Sequence, residues 1–182
     1  MKFILALLSI LFFWSSNAQE STASEQVSTF TIDAPQLKTS KKIWVYLPKN
    51  YSNSDKKFPV IYMHDAQNLF DAKTSYVGEW NIDETLDSIS AQVIVIGIEH
   101  GGEKRMEELT PFKHEKYGGG NADNYLDFIV STLKPYVDKN YRTKTNANNT
   151  ALFGSSLGGL VSFYGALKYQ KVFGKVGCFS PS

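Results

Sequence analysis

The chain has 182 residues, the length of one domain rather than two. Hydrophobic residues make up 42% and charged residues 20%, a globular composition able to build a core. Formal net charge is +1 with the charges interspersed, so there is no basic block of the kind used on nucleic acid or an anionic membrane.

The first residues follow different rules from the rest. Met1-Lys2 gives a short positive start, and Phe3 to Trp14 is almost wholly apolar. That run is too short for a bilayer core of ~30 Å, which needs ~20 helical residues. Ser16-Asn17-Ala18 follows with small residues where a signal peptidase reads, so residues 1–18 are expected to be a cleaved export signal rather than a stable membrane anchor. The mature protein would then be periplasmic or secreted. Residues 19–28 read as a flexible leader, and residues 29–182 as one domain.

Phe30 to Ile32 and the run KIWVYL at Lys42 to Leu47 are predicted strands, and the turn-rich stretch Pro48 to Lys57 leads to the next. Pro59 to Met63 is continuously apolar and ends in His64-Asp65, and Val93 to Ile98 is a second such run; unbroken apolarity over this length marks strands buried on both faces. Asn81 to Ile89 has helical spacing, with Ile82, Leu86 and Ile89 on one side. Gly101 to Gly120 reads as a long polar loop. Asp123 is the expected N-cap of a helix reaching about Asn140, striped by Leu126, Ile129, Val130, Leu133 and Val137 and interrupted at Pro135. Ala151 to Phe153 is a short buried strand, Leu157 to Tyr169 a helix, and Lys175 to Phe179 a further strand, with the single cysteine, Cys178, as a buried strand residue. Strands alternating with helices predict an α/β fold with a mainly parallel sheet and helices on both faces.

The chemistry concentrates at Gly154-Ser155-Ser156-Leu157-Gly158, a G-x-S-x-G match lying between a buried strand and an amphipathic helix. A nucleophile on so tight a strand-to-helix turn leaves no room for side chains two residues away on either side, hence Gly154 and Gly158. The turn lifts the Ser156 hydroxyl out of the carboxyl end of the sheet. It also aims the Leu157 N–H, at a helix N-terminus, at a developing oxyanion. No Gly-Lys-Ser/Thr follows, so the motif is not a phosphate loop. A second oxyanion donor is expected from the loop after the third strand, with the Gln67 N–H the best candidate and Ala66 its neighbour. His64 reads as structural, His100 and His114 as loop histidines. No metal spacing is present, and neither a metal nor an organic cofactor is expected.

The ordered set KIWVYLP, VIYMHDAQNLFD, WNIDETLD, VIVIGIEH, YLDFIVSTLKPYVDKNYRT and ALFGSSLGGLVSFYGALKYQKVFGKVGCFSPS, spanning residues 41–182, resembles the putative-esterase (esterase D-like) family of α/β-hydrolases. That family includes feruloyl and acetylxylan esterases, siderophore esterases, S-formylglutathione hydrolases and mycolyltransferase antigens. The resemblance implies Ser156 as nucleophile, the N–H groups of Leu157 and Gln67 as oxyanion donors, and a small-molecule or glycan-linked ester as substrate. Ala66 departs from the glycine usual there, and its methyl is expected to reshape the acyl side of the site.

In α/β-hydrolases the triad runs Ser, then Asp or Glu, then His along the chain. After Ser156 this sequence has no Asp, Glu or His. The expectation is therefore the amino-terminal part of a longer esterase, its sheet ending after about the sixth strand, inactive as written. The alternative is a non-catalytic hydrolase-fold protein that binds esters or glycans.

Overall fold

The computed structural model describes residues 20–182. The expected export signal lies outside them. The elements in chain order are β1 (Val27–Ala34), β2 (Thr39–Tyr46), β3 (Val60–His64), α1 (Ile82–Ser88), β4 (Ile94–Ile98), α2 (Arg105–Leu109), a small hairpin of β5 (Lys113–His114) and β6 (Gly118–Gly119), α3 (Ala122–Asp127), α4 (Lys134–Asn140), β7 (Thr150–Ser155), α5 (Leu157–Lys168) and β8 (Lys175–Phe179). Six strands form one sheet in the order β1-β2-β4-β3-β7-β8. β4, β3, β7 and β8 are mutually parallel, and β1 and β2 close one side in antiparallel pairing.

Alternation along the strands builds two cores. Ile43 and Val45 of β2, Tyr62 of β3 and the β4 isoleucines pack against Leu126, Phe128, Ile129, Leu133, Val137 and Val161, so α3, α4 and α5 cover one face. Trp44, Tyr46, Met63 and Val95 point the other way, to Leu69, Phe70 and the Ile82 and Leu86 side chains of α1. The runs in β3 and β4 are apolar throughout because both faces of these central strands are covered.

Several elements differ from the sequence reading. β1 spans eight residues and starts at Val27. The leader ahead of it is held: the Ser21 hydroxyl donates to Asp71 at 2.7 Å, Thr22 to Glu79 at 2.8 Å, and the Ser24 N–H to Asp83 at 2.7 Å. α1 stops at Ser88, so Ile89 leaves the helical stripe and is 68% exposed. The helix expected from Asp123 is capped at Asn121, and Asp123 sits in its first turn, bonded to Lys168 and the Tyr164 hydroxyl. Between α3 and α4 the helix widens into a π-helical stretch, Phe128–Leu133, just before Pro135. A proline lacks the N–H of a regular turn and clashes with the carbonyl four residues back, and the wider turn absorbs both defects. Cys178 is half-buried in β8 rather than enclosed.

The stretch 101–120 is structured rather than an open loop, and a buried ion pair anchors it. Lys41 of β2 and Glu108 of α2 meet at 2.5 Å with side chains only 4% and 2% exposed. Gly101 is required beside them, because a Cβ there would lie 2.5 Å from the Glu108 carboxylate. Breaking one half of a buried pair leaves an uncompensated charge. Glu108→Ala is therefore expected to lower the free energy of urea unfolding by about 3–5 kcal/mol. The joint replacement of Lys41 by Met and Glu108 by Leu should lose much less.

Candidate active site

Ser156 stands between the end of β7 and the first turn of α5 with φ 52° and ψ −125°, a backbone conformation costly for any residue with a side chain. Two close approaches enforce it. A Cβ on Gly154 would lie 2.4 Å from the carbonyl carbon of Gly158, and one on Gly159 would lie 3.1 Å from the Gly154 oxygen. The Ser156 N–H donates to the Phe179 carbonyl of β8 at 3.0 Å, which locks the turn to the neighbouring strand. The serine side chain is left pointing out, 3.0 Å from the Ser182 hydroxyl.

Ser156 opens onto a cleft of about 390 Å³. One wall is apolar and aromatic (Met63, Leu69, Tyr76, Trp80); His64, Asp65, Gln67, Asn68, His100 and Arg105 supply polar groups. The sequence-derived residues Ser156, Gly154 and Gln67 thus share one cavity. Leu157 begins α5, and its side chain turns to the main core. Its N–H, at the first helical position, has no intrahelical acceptor.

The turn after β3 carries the second expected donor. Asp65 adopts the left-handed conformation at φ 57°, and Ala66–Asn68 form one 3-10 turn. The N–H groups of Asn68 and Leu69 bond to the carbonyls of Asp65 and Ala66, so those of Ala66 and Gln67 open the turn with no acceptor inside it. Ala66 itself does not line the cleft. Its methyl faces the second core, where a Cβ on Gly97 would lie only 2.8 Å away. The departure from glycine at 66 is absorbed by a glycine on β4, and the acyl side of the cleft is not reshaped by it.

His64 is 2% exposed and bonds through Nδ1 to the Tyr125 hydroxyl at 2.7 Å. Its ring backs the elbow, with Cβ 3.2 Å from where a side chain on Gly158 would begin. Burial pushes its pKa down to about 4, so the ring is neutral at pH 7. Nε2 is buried and has no hydrogen-bond partner among the described residues. His100 lines the cleft with its ring tilted against Tyr76, and its Nδ1 accepts the Gly102 N–H at 2.8 Å. His114 is exposed on the hairpin, outside the cleft. The Glu79, Asp83 and Glu84 carboxylates approach within 4.8 Å of one another away from the cleft lining, and Glu79 and Asp83 hold the leader through Thr22 and Ser24.

Sequence reasoning missed Arg105, Tyr76 and Trp80. Tyr76 and Trp80 lie in a stretch with no periodicity. Arg105 is one of two arginines in the chain, and that rarity was the available signal.

Comparisons with known proteins give the family and the fold. Residues 34–182 match the family model described as putative esterase. The chain belongs to that family. Protein YbbA of Bacillus subtilis (strain 168), itself uncharacterized, is 31% identical over 154 residues, 79% of this chain and 57% of that protein. Among solved structures, an IroE-like serine hydrolase from Shewanella oneidensis superposes with a TM-score of 0.71 at 23% identity, covering 86% of this chain and 51% of that one. The ferulic acid esterase AmCE1/Fae1A of the anaerobic fungus Anaeromyces mucronatus superposes with a TM-score of 0.65 at 24% identity, covering 91% and 61%. These likenesses establish the α/β-hydrolase fold. The chain spans between about half and two-thirds of the length of these putative-esterase relatives.

The neutral, buried His64 gives a pH signature. Its folded pKa, about 4, lies below the ordinary 6.5, so the unfolded chain binds more protons between these values. Its contribution to stability is complete above pH 6.5 and is lost as pH falls toward 4, by about 3 kcal/mol. Urea unfolding at pH 7 and pH 4.5 should show that loss, and the difference should shrink in His64→Gln.

Proposed function

We propose that this chain carries the nucleophile half of an exported serine carboxylic-ester hydrolase that works through an acyl-enzyme on Ser156. The observation that carries the reading is the strained Ser156 turn lining the 390 Å³ cleft, which Gln67 of the 3-10 turn after β3 also lines. In this reading the Ser156 oxygen attacks the ester carbonyl carbon and its proton passes to a base. The N–H groups of Leu157 and Gln67 hold the tetrahedral oxyanion, which collapses as the alcohol leaves with the proton. Water then adds to the acyl-enzyme as the same base takes its proton, and the bond to Ser156 Oγ breaks as that proton is returned to the serine, releasing the acid.

Among the described residues the base has no good candidate: the His64 ring is buried on Tyr125, and the Nδ1 of His100 is already bonded to Gly102. The family order of the triad places acid and histidine after the serine, and residues 157–182 contain no Asp, Glu or His. Residues 1–182 alone should therefore turn over esters slowly or not at all. Tyr76 and Trp80 in the cleft lining suit an ester with a flat or sugar-like ring, and one structural neighbour is a ferulic acid esterase. The export reading rests on the pattern of residues 1–18.

A fluorophosphonate probe and p-nitrophenyl acetate test this in the full-length protein. Wild type should be labelled at Ser156 and turn over the ester, and Ser156→Ala should lose both. Turnover that survives Ser156→Ala would remove the nucleophile assignment. An unlabelled, inactive full-length protein that still binds esters would favour the binding reading.

A further inference from the structure

The turn that carries the Gln67 N–H is held from outside itself. Arg105 of α2 grips the Asp65 carboxylate with two prongs, Nε to Oδ1 at 2.7 Å and Nη2 to Oδ2 at 2.8 Å. This fork fixes a residue that already sits in the unfavourable left-handed conformation, at the residue where β3 gives way to the turn. The same carboxylate reaches the nucleophile elbow: its Oδ2 lies 3.3 Å from where a side chain on Gly158 would begin. One carboxylate therefore stands at the turn after β3 and beside the first turn of α5, and one guanidinium holds it. Arg105 is itself fixed, because α2 is anchored through Glu108 to the buried Lys41.

We propose that Arg105 and Asp65 form the positioning pair of the oxyanion hole. The pair does two things. It sets the direction of the Ala66 and Gln67 N–H groups relative to the first turn of α5. It also cancels the negative charge of Asp65, which without Arg105 would stand beside a developing oxyanion and oppose it. The fork geometry matters for the first role and the charge for the second, so lysine at 105 meets only part of the need.

This inference rests on the proposed roles of Ser156 and Gln67. It is tested by kcat and KM on p-nitrophenyl acetate for the full-length protein carrying Arg105→Met, Arg105→Lys, Arg105→Met with Asp65→Asn, and Ser156→Ala. Melting by circular dichroism shows which variants are folded at the assay temperature. Arg105→Met should lose about a hundredfold in kcat, the scale of one lost oxyanion donor, with little change in KM. Arg105→Lys should recover part of that loss. Adding Asp65→Asn to Arg105→Met should raise kcat again, because the unopposed carboxylate is gone, which a merely structural role would not produce. Unchanged kcat in Arg105→Met overturns the proposal, as does a raised KM with kcat kept, which would make Arg105 a substrate contact. If Arg105→Met does not fold, Arg105→Lys decides, and wild-type kcat there also overturns the proposal. Turnover surviving in Ser156→Ala brings down the nucleophile reading itself, whatever the Arg105 variants do.

Discussion

The strand-to-helix turn at Gly154 to Gly158 leaves no space for a side chain between its two ends, and the rest of the site is arranged around that contact. With 2.4 Å between the carbonyl carbon of Gly158 and the place a Cβ on Gly154 would occupy, the backbone can only pass if residue 154 is glycine, and a side chain at 158 would crowd His64 at 3.2 Å. That passage forces the left-handed φ on Ser156, and the strain is held by packing on every side. β8 pairs with β7 along five residues and accepts the Ser156 N–H through Phe179. His64 backs α5 where Gly158 leaves it room. A hydroxyl presented this way points where the fold directs it, without depending on a flexible side-chain hinge.

Polar groups under the cleft are connected to the sheet in layers. Lys41 and Glu108 pair in the interior, Tyr125 and His64 bond beneath the elbow, and Arg105 with Asp65 lies at the cleft surface. Buried charges of this kind are a weak source of net stability, because desolvation offsets most of the attraction. Their geometry is more useful than their energy here. α2, a helix of only five residues, could not hold a fixed place through its own hydrogen bonds. The Lys41–Glu108 pair gives it one, and so gives Arg105 a rigid base.

What could be read from the sequence divides along physical lines. β3 and β4 were legible because strands covered on both faces are apolar along most of their length, and the G-x-S-x-G spacing was legible because sterics allow little else on such a turn. Boundaries set by single residues were not. The end of α1 at Ser88 releases Ile89 to solvent, although its spacing fits the helical stripe. The widening of the helix before Pro135 depends on how a missing N–H is accommodated rather than on periodicity. Of the cleft, Ser156, Gly154 and Gln67 could be found from a motif and its family, and Arg105 could not. Its part in the site arises from a contact across forty residues, and the polar stretch that carries it looks like loop in one dimension.

The contact between Ala66 and Gly97 bears on the history open to this fold. The methyl at 66 and the missing side chain at 97 occupy one space, shared between the turn after β3 and the middle of the sheet. A lineage that carries alanine at 66 cannot accept a larger residue at 97 first, whereas one with glycine at 66 would need only the Phe70 ring, at 3.0 Å, to give way. The two positions are thirty-one apart in sequence, yet the order in which they change is constrained. Across relatives, small residues should trade places between them, and a survey of paired substitutions would pick out the oxyanion turn as a unit that evolves together with the floor it rests on.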